Sequence, residues 1–325
     1  MAESRSRRQQ QLIDSIRLSV NALELADSDI LDLKIVDTAL REFSDAFEVF
    51  RPYRNQRKLT MFGSARTSPD DPIYAMAREL GQRISDEGWM VVTGAGPGIM
   101  QAGTEGAGRA RAFGVNIVLP HEQGANPIIA NDPKLVEMRY FFTRKVALIR
   151  ESHAYAVLPG GFGTLDEIYE LLTLLQTGKA NPAPVLLVER AGDDYWQQWE
   201  HFVENTAMAR GYVSDDDRSL YRVVTGVDEA MDEIRAFYSN YRSIRFFGEV
   251  LVIRLNREPT AAQLGSLNER FSDIVVADTI QSCVAREDEI SEEDDVSAAR
   301  ISFRYNRVDF GRLRQLINEL NAFPV

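Results

Sequence analysis

The chain has 325 residues, 44% of them hydrophobic and 26% charged, the balance of a soluble chain holding two domains or one domain with appendages. Its 37 Lys and Arg against 49 Asp and Glu leave a net charge of −12, which argues against nucleic acid or an anionic membrane surface as a partner but still allows a locally positive pocket for a small anion. The single cysteine, Cys283, excludes an internal disulfide, and His121, His153 and His201 have no paired spacing, so no metal site is expected. No apolar run approaches the ~18 residues of a membrane span. The amino end carries charge with no apolar stretch behind it, so a cytoplasmic location is expected.

Residues 1–57 read as a helical extension. Leu12, Ile13, Ile16, Val20 and Leu23, then Ile30, Leu33, Val36, Leu40, Phe43, Phe47 and Phe50, recur at spacings of three and four. Ser28 or Asp29 is placed to cap the second helix, and Arg51-Pro52 ends it. Two helices cannot enclose a sizeable core, so they are expected to pack on a neighbouring element or another subunit.

Residues 58–243 alternate strand and helix. Strands are expected at 58–62, 89–93, 115–119, 155–158, 185–188 and 221–224, with helices at 73–87, 98–111, 142–151, 164–176, 195–209 and 227–238. This rhythm predicts an α/β fold, a parallel sheet covered on both faces, and strands rich in Val, Ile and Leu fit that burial. Residues 244–325 change rhythm: strand 247–255, helix 260–271, strands 274–284 and 299–305, helix 310–320, a small α+β module. The acidic run 287–295 between its last two strands reads as a solvated loop, since like charges repel.

Glycine-rich turns follow three of the strands. They are Phe62-Gly63-Ser64-Ala65-Arg66, then Gly94-Ala95-Gly96-Pro97-Gly98-Ile99-Met100, then Pro159-Gly160-Gly161-Phe162-Gly163-Thr164-Leu165-Asp166-Glu167. In an open parallel sheet the ligand crevice lies beyond the carboxyl ends of the strands, where glycine lets backbone N–H groups approach an anion and the next helix presents its positive end. Three such turns on one edge make a phosphate cradle. The second turn is not followed by the acidic residue a dinucleotide fingerprint needs, and no Walker-type loop exists, so NAD and ATP-hydrolysis readings lose ground. In the third turn, Thr164 is expected to cap the helix and offer its hydroxyl to a phosphate, with Glu167 in the first helical turn, off the apolar stripe of Ile168, Leu171, Leu172 and Leu175. Arg144 and Lys145 open the preceding helix. Alone, a Glu at a helix start and cations on a helix are surface features; here they flank the ends of adjacent βα units.

The segment from Pro159 to Glu167, with Arg144-Lys145 upstream, resembles the PGGxGTxxE and R-K signature of the lonely guy family, phosphoribohydrolases of cytokinin and purine nucleoside 5′-monophosphates that have long been labelled lysine decarboxylases. The resemblance covers about residues 58–238. It implies a Rossmann-like doubly wound sheet, homodimers or higher homo-oligomers, a nucleoside 5′-monophosphate substrate and no redox cofactor. It further implies Arg144 and Glu167 as the catalytic pair and Gly160, Gly161, Gly163 and Thr164 as the phosphate loop. Gly63, Ser64, Gly94, Gly96, Gly98, Met100, Lys145 and Pro159 complete the expected substrate site. The extended flanks look most like the longer members. Shorter members usually carry Met where Phe141 stands and glycine where Ala95 stands, departures that bear on which base is taken.

A carboxylate beside the ribose can steady oxocarbenium character as the N-glycosidic bond breaks and can orient or deprotonate water. The competing reading is a nucleotide or molybdenum-cofactor binding protein without turnover, since carriers of that cofactor share the general fold. A regulatory role for the C-terminal module rests on fold analogy alone. A decarboxylase would need a pyridoxal-phosphate lysine, and Lys145 has no partner set for one. His121, after a strand end, is read as a loop residue near the crevice, His153 and His201 as structural, and Tyr195, Trp196 and Trp199 as packing at helical spacing.

Overall fold

The computed structural model describes residues 7–119 and 124–323; His121 lies outside them. Helix α1 (Arg7–Leu25) leaves Leu12, Leu18 and Leu25 exposed. Helix α2 (Ile30–Phe50) is capped by Asp29, whose carboxylate accepts from the Leu31 and Asp32 amides. Its buried residues, Glu42, Ala46 and Phe50, are four apart and so lie along one line of the helix facing the domain. A turn of 3₁₀ helix, Arg51–Tyr53, closes it.

Strand β1 (Lys58–Phe62), helix α3 (Pro72–Asp86), strand β2 (Met90–Thr93), helix α4 (Ile99–Ala107) and strand β3 (Ala112–Ile117) open the main sheet. Strand β4 (Leu135–Met138), helix α5 (Phe141–Arg150), strand β5 (Ala154–Val157), helix α6 (Phe162–Gln176) and strand β6 (Val185–Glu189) follow. Helix α7 (Tyr195–Phe202), strand β7 (Arg222–Thr225) and helix α8 (Gly226–Phe237) complete it. The order is β4-β3-β2-β1-β5-β6-β7 with every pair parallel, an α/β Rossmann-like sheet. Leu59, Met61, Val91, Ala156 and Leu186 pack beneath α3, α4 and α8 on one face. Val92, Phe113, Val115, Val157 and Leu187 pack beneath α2, α5, α6 and α7 on the other. Strand order reverses direction between β1 and β5, the switch point at which such sheets open a crevice.

The expected alternation holds with corrections. The edge strand β4 was not expected, and the strand placed at 115–119 starts earlier, at Ala112. The helix expected over 195–209 is α-helical only to Phe202 and then widens to a π-helix, Val203–Met208.

The second sheet starts at Tyr241. Strands β8 (Tyr241–Phe247) and β9 (Val250–Leu255), helix α9 (Ala261–Arg270), strand β10 (Val275–Ser282), helix α10 (Glu287–Ser291), strand β11 (Ala299–Tyr305) and helix α11 (Phe310–Ala322) form an antiparallel sheet in the order β10-β11-β9-β8. The single strand expected over 247–255 is therefore the end of one strand and all of the next, because Gly248, at φ 60°, turns the chain back into a hairpin. The acidic run is solvated only in part: Glu287, Asp288, Glu292 and Glu293 are exposed, but its first half is the helix α10 and some of its carboxylates turn inward. Glu289 is fully buried, accepting from the guanidinium of Arg254 at 2.6 Å and of Arg300 at 3.3 Å, and Asp294 takes Arg254 and Arg245. The like charges are tolerated because arginines from three strands, β8, β9 and β11, lie beneath them.

Helix α11 is shared between the two sheets. Its Leu313, Leu316, Ile317 and Leu320 fill the core of the second sheet. Arg314, 5% exposed, donates to the Ala183 carbonyl and to Glu233 of α8, with its guanidinium over the Phe237 ring. Gly178, at φ 66°, accommodates the Phe310 ring at a spot where a Cβ would stand 1.9 Å away.

Candidate active site

The three glycine-rich turns meet at the carboxyl ends of β1, β2 and β5 and are tied to one another. The Ser64 amide donates to the Pro159 carbonyl, and the Ile99 amide donates to the Ser64 carbonyl. Gly98 lies at φ 65°, and a Cβ there would come within 2.3 Å of the Ser64 carbonyl oxygen, so only glycine lets the second turn reach the first. Between them lies a crevice of about 690 Å³.

Its walls combine the Phe62–Arg66 turn, Gly94 and Met100, Phe141 and Arg144, and the run from Gly161 to Glu167. Of the expected substrate-site residues, Gly63, Ser64, Gly94, Met100, Gly161, Gly163 and Thr164 line it, with Arg144 and Glu167. Gly96, Gly98, Pro159 and Gly160 stand behind the wall as turn residues. Gly160 packs on Thr164, whose Oγ1 would be 2.1 Å from a Cβ there, and Gly96 packs on the Met100 methyl. Lys145 points elsewhere, pairing with Asp166 at 2.8 Å and Glu170 at 2.5 Å and so joining α5 to α6.

Helix α6 begins one turn earlier than the motif suggests. Its N-cap is Gly161, which supplies no side chain, so Thr164 is not the cap. Thr164 is the third helical residue, and Glu167 belongs to the second turn rather than the first. The amides that any helix leaves unpaired at its start therefore sit on the crevice wall, at the positive end of the helix.

Glu167 is 6% exposed although it lies off the apolar stripe, because its face of α6 turns toward Arg144. Its Oε1 stands 4.0 Å from Arg144 Nη1, while its buried Oε2 has no hydrogen-bond partner. Burial pushes the carboxyl up to about 7, against the downward pull of Arg144 and Lys145, with the nearby Asp166 and Glu170 charges adding a smaller upward push. Burial also lowers Arg144, with Glu167 opposing. The guanidinium is aimed by its Nε, which donates to the Val115 carbonyl at 2.9 Å, and Nη2 lies against Gly94. A buried, unpartnered carboxylate that titrates near neutrality can take a proton from water or face a developing cation.

Several contributors were not read from the sequence. Arg66 adds an exposed cation to the crevice wall. Asn126, 4% exposed, holds the second turn by donating from its side chain to the Ala95 and Gly96 carbonyls; its one sequence signal is an Asn-Pro pair. Tyr195 does pack on Trp196, but its hydroxyl also donates to the Gly160 carbonyl at 2.5 Å. His153 is structural as expected: its Nδ1 accepts from the Lys58 amide, and burial lowers it to about 4. Among the described residues no cluster of His, Cys, Asp and Glu could hold a metal ion.

The family described as "Possible lysine decarboxylase" matches residues 97–234. The cytokinin riboside 5′-monophosphate phosphoribohydrolase of Mycobacterium tuberculosis is 30% identical over 166 residues, which cover 50% of this chain and 84% of that protein. The pyrimidine/purine nucleotide 5′-monophosphate nucleosidase of Escherichia coli is 27% identical over 172 residues. The aligned part spans only 36% of that nucleosidase. Among solved structures, the molybdenum cofactor binding protein of Rippkaea orientalis is 20% identical with a TM-score of 0.41, covering 56% of this chain and 96% of that one. With the mycobacterial relative aligned over most of its length and both signature motifs in its sequence, the chain belongs to the lonely guy family of phosphoribohydrolase-like proteins.

Proposed function

We propose that the crevice hydrolyses the N-glycosidic bond of a nucleoside 5′-monophosphate, releasing the free base and ribose 5-phosphate. The observation that carries this reading is the Glu167 carboxylate, buried with one oxygen unpartnered beside Arg144, in the second turn of the helix whose start would take the phosphate. The phosphate sits on the free amides of Gly161 to Gly163 and the Thr164 hydroxyl, and the ribose then extends over the second turn of α6. Water adds to C1′ as the C1′–N bond breaks. The electron pair of that bond leaves with the base, which gains one proton overall, and the water proton passes first to Glu167. The ionised carboxylate also steadies the sugar cation, while Arg144 holds Glu167 in its charged form and in place. Phe141 and Phe162, 50% and 93% exposed on the crevice wall, offer ring faces to a planar base.

A crevice that only stored a phosphate ligand would have no use for a buried carboxylate, which weighs against simple carriage. The test is incubation with a panel of purine, cytokinin and pyrimidine nucleoside 5′-monophosphates, with chromatography of the released base. Glu167→Gln should lower turnover of the best substrate by about a thousandfold while ribose 5-phosphate still binds. Turnover of the Gln variant near that of the wild type would refute the assignment.

A further inference from the structure

We propose that Glu42, on the N-terminal extension, is a positioning residue that fixes the amino end of α5 and thereby sets Arg144 against Glu167. The role of Arg144 in this statement rests on the function proposed above. Helix α5 begins at Phe141, and its N-cap residue, Tyr140, contributes no side-chain cap. The start of α5 is instead gripped on either side of Tyr140 from α2, about a hundred residues earlier in the chain. One oxygen of Glu42 accepts from the Arg139 amide at 2.6 Å and the other from the Thr143 hydroxyl at 2.5 Å.

Glu42 is 6% exposed, and among the described residues it makes no salt bridge. A buried carboxylate without a cation is costly unless donors and a dipole compensate it, and here it stands at the positive end of α5. The grip extends along α2. Ala46 and Phe50 are buried, Phe50 stacks on Phe113 at 4.5 Å, and the Arg150 guanidinium at the far end of α5 lies 4.6 Å above the Phe47 ring. Helix α2 thus holds α5 at both ends. Arg144 directly follows Thr143, so any shift of the first turn of α5 moves its guanidinium relative to Gly94, Val115 and Glu167.

The test compares Glu42→Ala, Glu42→Gln and the near-isosteric Thr143→Val in the full chain, by amide hydrogen exchange and by steady-state kinetics. Glu42→Ala should speed exchange at residues 139–144 by about tenfold or more, with β1 and β5 unchanged, and lower kcat about tenfold to a hundredfold with KM within about threefold. Glu42→Gln should recover most of both, because its oxygen still accepts from Arg139 and its amide can donate to Thr143, whose hydroxyl already reaches the Tyr140 carbonyl. Thr143→Val should shift both readouts in the same direction by less. A merely structural Glu42 would lower Tm without singling out α5 or kcat. That result, or exchange unchanged in Glu42→Ala, overturns the proposal. If the wild-type chain turns over no nucleotide, the hydrolase reading fails separately, and exchange at 139–144 decides for Glu42 alone.

Discussion

Gly94→Ala tests the placement of Arg144 through space alone. Gly94 is not in the left-handed region, so its backbone accepts alanine. The new methyl would stand 1.9 Å from Arg144 Nη2 and 2.8 Å from Met100 Sδ. To reach ordinary contact the guanidinium must retreat by about 1.5 Å, which its Nε bond to the Val115 carbonyl resists. A misplacement of ~1 Å in a catalytic constellation costs about a hundredfold, so kcat/KM for the preferred nucleotide should fall at least that far. The stability loss should be small, ~1 kcal/mol, because the obstructing atoms are the ends of flexible side chains. Base release measured alongside thermal unfolding separates the two effects. The double variant Gly94→Ala/Arg144→Ala should be no worse than Arg144→Ala alone, since both act on one guanidinium. Activity of Gly94→Ala within about threefold of wild type, or a loss that adds fully to that of Arg144→Ala, would refute the reasoning.

The proposed catalysis by ionised Glu167 should give kcat/KM an acid limb centred near 7, which a pH profile reads directly. A carboxyl raised in the folded state contributes stability that is whole below the unfolded value of about 4.3 and is lost as pH rises through about 7. Glu167→Gln should therefore melt above the wild type at about pH 8 and close to it at about pH 4. Phe162→Ala should raise KM for purine monophosphates by about tenfold and spare ribose 5-phosphate binding, if its ring stacks on the base; equal losses for both ligands would place the ring elsewhere. Glu289→Gln leaves the buried Arg300 guanidinium without its carboxylate and Arg254 with Asp294 alone, and should cost about 3 kcal/mol in thermal or denaturant unfolding. Desolvation raises this carboxyl, but the Arg286 amide and the Arg254 and Arg300 guanidinium groups outweigh it and hold it below its ordinary value, so its contribution is lost as pH falls through that lowered value.

Most of the main sheet was legible because its strands are buried on both faces and carry no alternation to misread. The crevice followed from three glycine turns at strand ends, a pattern local to the chain. What escaped depended on partners far apart in sequence. β4 has only Val136 and Met138 buried, too little apolar content to mark an edge strand. The acidic run looked solvated because its counterions, Arg245, Arg254 and Arg300, sit on strands and bear no local relation to it. Glu42 lay in a helix whose apolar spacing was the visible signal, while its role is set by Arg139 and Thr143. Thr164 was read as a cap because a hydroxyl before an apolar run usually is one, whereas the helix starts earlier, on glycine.

Arg314 changes what the tail of the chain is. Its guanidinium reaches the loop ahead of β6 and a carboxylate on α8, while its neighbours on α11 close the second sheet. Cutting after residue 241 would thus strip a cation from Glu233 and bare α6 and α8 to water. Shortened forms would report damage to the parallel sheet and its crevice instead of the loss of an accessory, and heating should melt both sheets in a single step.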